Sequence, residues 1–140
     1  MRVLICDDNR DTADLLEALM LVENYETCIC YDGSSCIQKA RQWRPEAVLL
    51  DIGLPGMTGY EIAKSIREMD FGQDVLLVAI TGYGGADHKT MATTVGFDAH
   101  LTKPADPNQL FELLGRAGAL RHARCSPPDG NLLYAGTTSL

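Results

Sequence analysis

The sequence predicts an α/β fold, a doubly wound sheet of five parallel strands in one domain, and three observations point there. Short apolar runs rich in branched residues alternate with longer segments whose apolar residues recur at helical spacing. Several of the short runs are apolar at every position, as strands covered by helices on both faces must be. The length, 140 residues at 46% hydrophobic and 22% charged, suits one sizeable core and is too short for two.

The elements follow in order. Val3 to Cys6 reads as the first strand, and Leu15, Leu16, Leu19 and Met20 form the stripe of a first helix. Thr27 to Tyr31 is the second strand, followed by a helix marked by Ile37, Ala40 and Trp43 that Pro45 closes. Ala47 to Leu50 is the third strand, and Ile62, Ala63 and Ile66 mark the third helix. Val75 to Ile80 is the fourth strand, with a weaker helix from Ala86 to Val95 ended by Gly96, a residue suited to a left-handed C-cap. After the fifth strand, Ala99 to Leu101, Asp106 and Pro107 open a fifth helix striped by Leu110, Leu113, Leu114 and Ala117. Beyond Leu120 the periodicity fails among Pro127, Pro128, Gly130 and Gly136. The expected organisation is therefore a domain over residues 1–120 and a flexible tail over 121–140.

Charge and cysteine content narrow the function classes. With 19 acidic against 12 basic residues the net charge is −7, which excludes nucleic-acid binding through a broad basic surface and disfavours an anionic bilayer. The longest apolar stretches fall short of a membrane span, and Met1 leads directly into a strand-like run, so a cytoplasmic protein with no membrane insertion is expected. The 5 cysteines show no metal-ligand spacing and read as free thiols, with Cys36 and Cys125 expected to be the exposed ones.

In an open parallel sheet a site forms where the carboxyl ends of neighbouring strands meet. The first strand ends in Asp7 and Asp8, the third in Asp51, the fourth in Thr81 and Gly82, and the fifth in Thr102 and Lys103. Three carboxylates on one rim repel one another, so without a countercharge at least one is expected to have a raised pKa. A divalent cation removes that conflict. The candidate ligands are all oxygens, which selects Mg²⁺, with Mn²⁺ as the alternative. Such an ion takes phosphate oxygens readily, Lys103 adds a point charge, Thr81 a donor, and a carboxylate is available as nucleophile. The constellation describes phosphoryl transfer.

Four segments then carry a resemblance: VLICDDN at 3–9, LLDIGLPGMTGYE at 49–61, ITGYG at 80–84 and LTKP at 101–104. Their order and spacing resemble the CheY-like receiver domain of bacterial two-component response regulators over about residues 1–120. The resemblance implies a flavodoxin-like sheet of order 2-1-3-4-5 with five helices. It implies Asp51 as the phosphoacceptor, loaded by a histidine kinase or histidine phosphotransfer protein. Asp7, Asp8, Asp51 and the backbone carbonyl of Gly53 are then the Mg²⁺ ligands, Lys103 and Thr81 the phosphoryl-binding and switch residues, and Lys103-Pro104 a cis peptide.

Departures from the common pattern carry their own expectations. His100 stands where the family usually places an aromatic switch residue, which implies a pH-sensitive readout. Gly53 and Tyr83 flank the path of hydrolytic water, one unable to orient it and the other able to obstruct it, so slow dephosphorylation is expected. The permissive loop from Gly82 suits a segment that changes conformation. Output is expected through protein binding at the face of the fourth helix, fifth strand and fifth helix, by a downstream protein or a phosphorylation-dependent second copy. Stand-alone receiver, phosphorelay shuttle and hybrid-kinase module all remain open. An aspartate-nucleophile phosphatase is disfavoured, because it needs a second acid where Gly53 stands.

Overall fold

The computed structural model describes residues 1–54, 56–82 and 96–125, with side chains as far as residue 117. The chain divides into two compact units, Met1–Ala105 and Asp106–Leu140. The first contains β1 (Arg2–Cys6), β2 (Glu26–Cys30), β3 (Ala47–Asp51), β4 (Leu76–Thr81) and β5 (Ala99–Thr102). All pairings are parallel, in the order β2-β1-β3-β4-β5. This is the five-stranded sheet expected, with boundaries moved by one residue in several places. β4, for example, begins at Leu76 because Val75 still bonds back to Gly72, closing a 3₁₀ turn at Gly72–Asp74.

Alternation along the strands separates the two faces. Leu4 and Cys6 of β1 join Cys30, Val48, Leu50 and Leu77 in a buried cluster with Ala40, Ile62, Ala63 and Ile66, while Val3 and Ile5, also fully buried, point the other way. Each helix start has a chemical reason. α1 (Arg10–Val22) is capped by Asn9, whose side chain accepts from the Thr12 N–H. α2 (Gly33–Trp43) is capped by Asp32 accepting from Ser35, and ends on Arg44 at φ 52°, ahead of Pro45. α3 (Gly59–Arg67) opens with a reciprocal capping box between Thr58 and Glu61.

In the second unit a C-terminal helix spans Pro107–Cys125 and buries Leu110 and Leu114. It continues past Leu120, where the sequence reading began the tail. No proline or glycine interrupts Arg121 to Cys125, and the first strong stop is the proline pair at 127 and 128. The predicted helix from Ala86 to Val95 and residues 126–140 lie outside the described residues. Gly96 has the predicted left-handed backbone, at φ 87°.

Cys36 corrects a sequence expectation. It is fully buried, because Gly33, Cys36 and Ala40 form the inward stripe of α2. Its thiol contacts that of Cys6, and this contact together with burial pushes the Cys6 thiol well up. Burial raises Cys30 to about 12. Thiols in such surroundings remain protonated and unreactive. The Cys125 side chain lies outside the described residues.

One interaction set fixes the entry to β5. The Arg67 guanidinium donates to the carbonyls of Gly72, Val75 and Gly96 and to the Asp98 carboxylate, at 2.6–3.0 Å. Asp98 in turn accepts from the Leu77 N–H at 2.8 Å. This ties the end of α3 to β4 and to the turn that launches β5, so the strand leading to Lys103 has a fixed origin.

Candidate functional site

The parallel sheet brings the carboxyl ends of β1, β3, β4 and β5 to one rim. Asp7 follows β1 directly and its N–H bonds the Cys30 carbonyl at 3.1 Å. Asp51 is the last residue of β3 and Thr81 the last of β4. Asp7, Asp51 and Thr81 are the buried polar residues described, whereas Asp8 is exposed. Carboxylate oxygens of Asp7, Asp8 and Asp51 all lie within 4.8 Å of one another.

Lys103 joins this cluster from the loop after β5. Its Nζ lies 3.1 Å from Asp7 Oδ2 and 3.1 Å from Asp51 Oδ2, and its backbone N–H donates to the Thr81 carbonyl at 2.7 Å. The Lys103-Pro104 peptide is cis. The second oxygen of each buried carboxylate is held by a backbone donor two residues on: Asn9 N–H to Asp7 Oδ1 and Gly53 N–H to Asp51 Oδ1, both at 2.9 Å. Both carboxylates are therefore oriented at each oxygen.

The connection after β3 is tightly seated. The Gly59 N–H donates to the Ile52 carbonyl at 3.0 Å. A Cβ on Gly59 would lie 2.6 Å from Ile52 Cα and 3.1 Å from the Asp51 carbonyl oxygen, so only glycine allows α3 to start this close to the end of β3. Ile52 and Leu54 are buried, while Gly53 between them is exposed. This arrangement places the Gly53 peptide on the rim.

Electrostatics at the rim follow from burial and crowding. Burial raises the Asp7 pKa; the Asn9 N–H and Lys103 pull it down, Asp51 pushes it up, and the net direction is upward. For Lys103, burial works to lower the pKa, but the bonds to Asp51 and Asp7 outweigh it and the net shift is upward. Three carboxylates against one ammonium leave negative charge uncompensated, and every donor in the cluster is a hard oxygen. Such a set fits Mg²⁺ and offers nothing to favour a soft metal.

Asp7, Asp8, Asp51 and Lys103 come together as the sequence reading expected, with Thr81 at the adjoining strand end. Gly82 is exposed just past β4. His100 lies within β5, half-buried and in register with Ala79. Tyr83 lies outside the described residues. Sequence reasoning missed Asn9 and Gly59. Asn9 carried a signal, as a capping residue just before the first helical stripe, whereas the close approach at Gly59 is a product of tertiary packing.

A parallel sheet of this order, carrying an acidic cluster and a lysine at its carboxyl rim, defines a signalling domain of the receiver class. Residues 3–115 match the family model for the response regulator receiver domain, and the chain belongs to that family. It is 31% identical over 125 residues to the transcriptional regulatory protein PrrA of Mycobacterium bovis, covering 89% of this chain and 52% of PrrA. The chain thus spans about half the length of that relative. It is also 28% identical over 129 residues to a 14.6 kDa protein of Leptolyngbya boryana, covering 92% and 95% of the two chains.

Among solved structures, it is similar to the receiver domain of the sensor histidine kinase PA1611 of Pseudomonas aeruginosa, which has a magnesium ion coordinated in its active site cleft. The TM-score is 0.77 at 26% identity, covering 84% of this chain and 97% of that one. It is likewise similar to the chemotaxis response regulator CheY4 of Vibrio cholerae, with TM-score 0.77, 26% identity and coverage of 83% and 97%. Receiver domains act in two-component signalling and bind Mg²⁺ at an acidic site, and this chain carries an acidic cluster in Asp7, Asp8 and Asp51. Receiver domains are signalling domains and not classical enzymes. Among the described residues no helix is long and apolar enough to cross a membrane.

Proposed function

We propose that Asp51 accepts a phosphoryl group from a phosphohistidine on a histidine kinase or histidine phosphotransfer protein, and that the phosphorylated domain changes conformation to signal through protein binding. The observation that carries this reading is the seating of Asp51 between the Gly53 N–H and the Lys103 ammonium, beside Asp7 and Asp8. An Asp51 carboxylate oxygen attacks phosphorus, the P–N bond breaks, and the imidazole leaves with its electron pair and takes up a proton. The product is an acyl phosphate on Asp51. Gly53 N–H keeps the carboxylate oriented, and Lys103, already at the reacting side chain, pairs with the transferred phosphoryl oxygens.

Asp7, Asp8, Asp51 and the Gly53 carbonyl are the residues that would hold Mg²⁺, or Mn²⁺, which when bound neutralises charge on the phosphoryl oxygens. The Thr81 hydroxyl is then drawn towards the new dianion, and the loop from Gly82 follows. The location we assign is the cytoplasm, where ATP-driven histidine phosphorylation supplies the donor.

Treatment with labelled acetyl phosphate tests the central step. Wild-type protein is expected to incorporate label in Mg²⁺ and to lose incorporation in EDTA, and Asp51→Asn is expected to incorporate none. Label persisting in Asp51→Asn would overturn the assignment. In the same experiment the Asp51 phosphate is expected to decay over many minutes, since Gly53 has no side chain to orient water and Tyr83 stands two residues beyond Thr81. Decay within seconds would exclude that tuning role.

His100 we assign to the readout, because it lies on β5, the strand that leads into the loop carrying Lys103. His100→Ala is expected to weaken the phosphorylation-induced spectral change and the affinity for the downstream partner. Unchanged values for both would remove His100 from the switch.

A further inference from the structure

We propose that Asn9 is a positioning residue for the cation site, tying the orientation of Asp7 to the first turn of α1; this rests on the reading of Asp7 as a cation ligand. Three bonds meet at this one residue. The Asn9 side chain accepts from the Thr12 N–H at 3.1 Å, and its carbonyl accepts from the Ala13 N–H at 3.0 Å. Its own N–H donates to Asp7 Oδ1 at 2.9 Å.

The first two bonds fasten Asn9 to the helix and hold it in the extended conformation, at φ −83° and ψ 111°. With both dihedrals pinned, the direction of the Asn9 N–H is fixed relative to the α1 axis. The third bond transmits that direction to a buried carboxylate.

The second hold on Asp7 is different in kind. Lys103 reaches Asp7 Oδ2 through a flexible four-carbon stem and also serves Asp51. In the proposed reaction Lys103 turns to the phosphoryl group, so the Asn9 N–H is the hold on Asp7 that persists. A capping side chain is therefore needed for more than helix stability: it keeps the Asp7 carboxylate oriented through loading and release. Serine would preserve this, because it caps as asparagine does. Glycine would not, although it substitutes at an N-cap with little loss of helix stability, because it frees both dihedrals.

Titration of the full chain with MgCl₂, followed by amide NMR shifts and paired with thermal unfolding in EDTA, separates the roles. Asn9→Ser is expected to bind Mg²⁺ within about twofold of wild type. Asn9→Gly is expected to bind about tenfold more weakly, the size of effect produced by losing an outer partner of a metal ligand, with nearly unchanged unfolding temperature. Asn9→Ala is expected to show the same weakening together with lower stability. Wild-type affinity in Asn9→Gly would overturn the positioning role while leaving the cation site standing. Failure of wild-type protein itself to respond to Mg²⁺ would overturn the cation site, and this proposal with it.

Discussion

Asp7→Asn is expected to move two quantities in opposite directions: Mg²⁺ affinity falls about a hundredfold or more, and the metal-free protein becomes more stable by about 1–2 kcal/mol. The loss follows from removing one of three clustered carboxylates. The gain follows from replacing a buried charge that faces Asp51 with a neutral group of the same shape. Asparagine keeps an oxygen for the Asn9 N–H, and Lys103 keeps its bond to Asp51.

The pH dependence fixes the sign. Burial, first among the causes, raises the Asp7 pKa in the folded protein, so the native state holds this proton to higher pH than the unfolded chain does. Its contribution to stability therefore falls as pH rises from about 4, the ordinary aspartate value, through the raised native value. Above that raised native value the penalty is fully present, and Asp7→Asn removes it. Below about pH 4 both states are protonated, and the advantage of Asp7→Asn vanishes. Saturating Mg²⁺ reverses the order at neutral pH, because binding to the native wild type adds stability that the variant cannot gain. Urea unfolding at both pH values, in EDTA and in Mg²⁺, reads all of this. A variant less stable than wild type in EDTA at neutral pH would mean that the bonds from Asn9 and Lys103 outweigh the cost of burying the carboxylate.

Lys103→Ala is the complementary experiment and is expected to cost about 2–4 kcal/mol in EDTA. Its ammonium serves two carboxylates whose side chains are 2% and 9% exposed, and removing it leaves both buried without a countercharge. The cost falls toward the lower part of the range because the lysine itself is 26% exposed and water screens part of the interaction. Mg²⁺ is expected to restore much of the loss, since it supplies the missing positive charge. In the Asp7→Asn background the same substitution is expected to cost clearly less, because one of the two orphaned charges is already gone. Equal costs in both backgrounds would show that the Asp7 carboxylate takes no part in what Lys103 stabilises, leaving Asp51 as its partner.

Much of this was legible before any coordinates. Apolar runs such as Ala47 to Leu50 identify buried parallel strands, and the rule that such sheets build sites at their carboxyl ends places Asp7, Asp8, Asp51, Thr81 and Lys103 on one rim. Strand order came from family resemblance, since periodicity carries no information about neighbours. Cys36 was misplaced because the inward stripe of α2 depends on the rotation of that helix, which its few strong apolar residues do not fix. The end of the C-terminal helix was set too early because fading amphipathicity is a weaker stop than proline. One hold on each of Asp7 and Asp51 is a backbone N–H group, which every residue but proline possesses and which leaves no mark in the sequence.

Lys103 also gives the rim a short mechanical path. Its ammonium touches side chains from the ends of β1 and β3, while its peptide N–H grips the last carbonyl of β4. A single residue thus spans three strands, and chemistry at the carboxylates is separated from the backbone of Thr81 by the length of one side chain. Coupling over that distance needs no relay of repacked neighbours. In the switch proposed above, the lysine itself would be the lever, with its fulcrum at the Thr81 carbonyl.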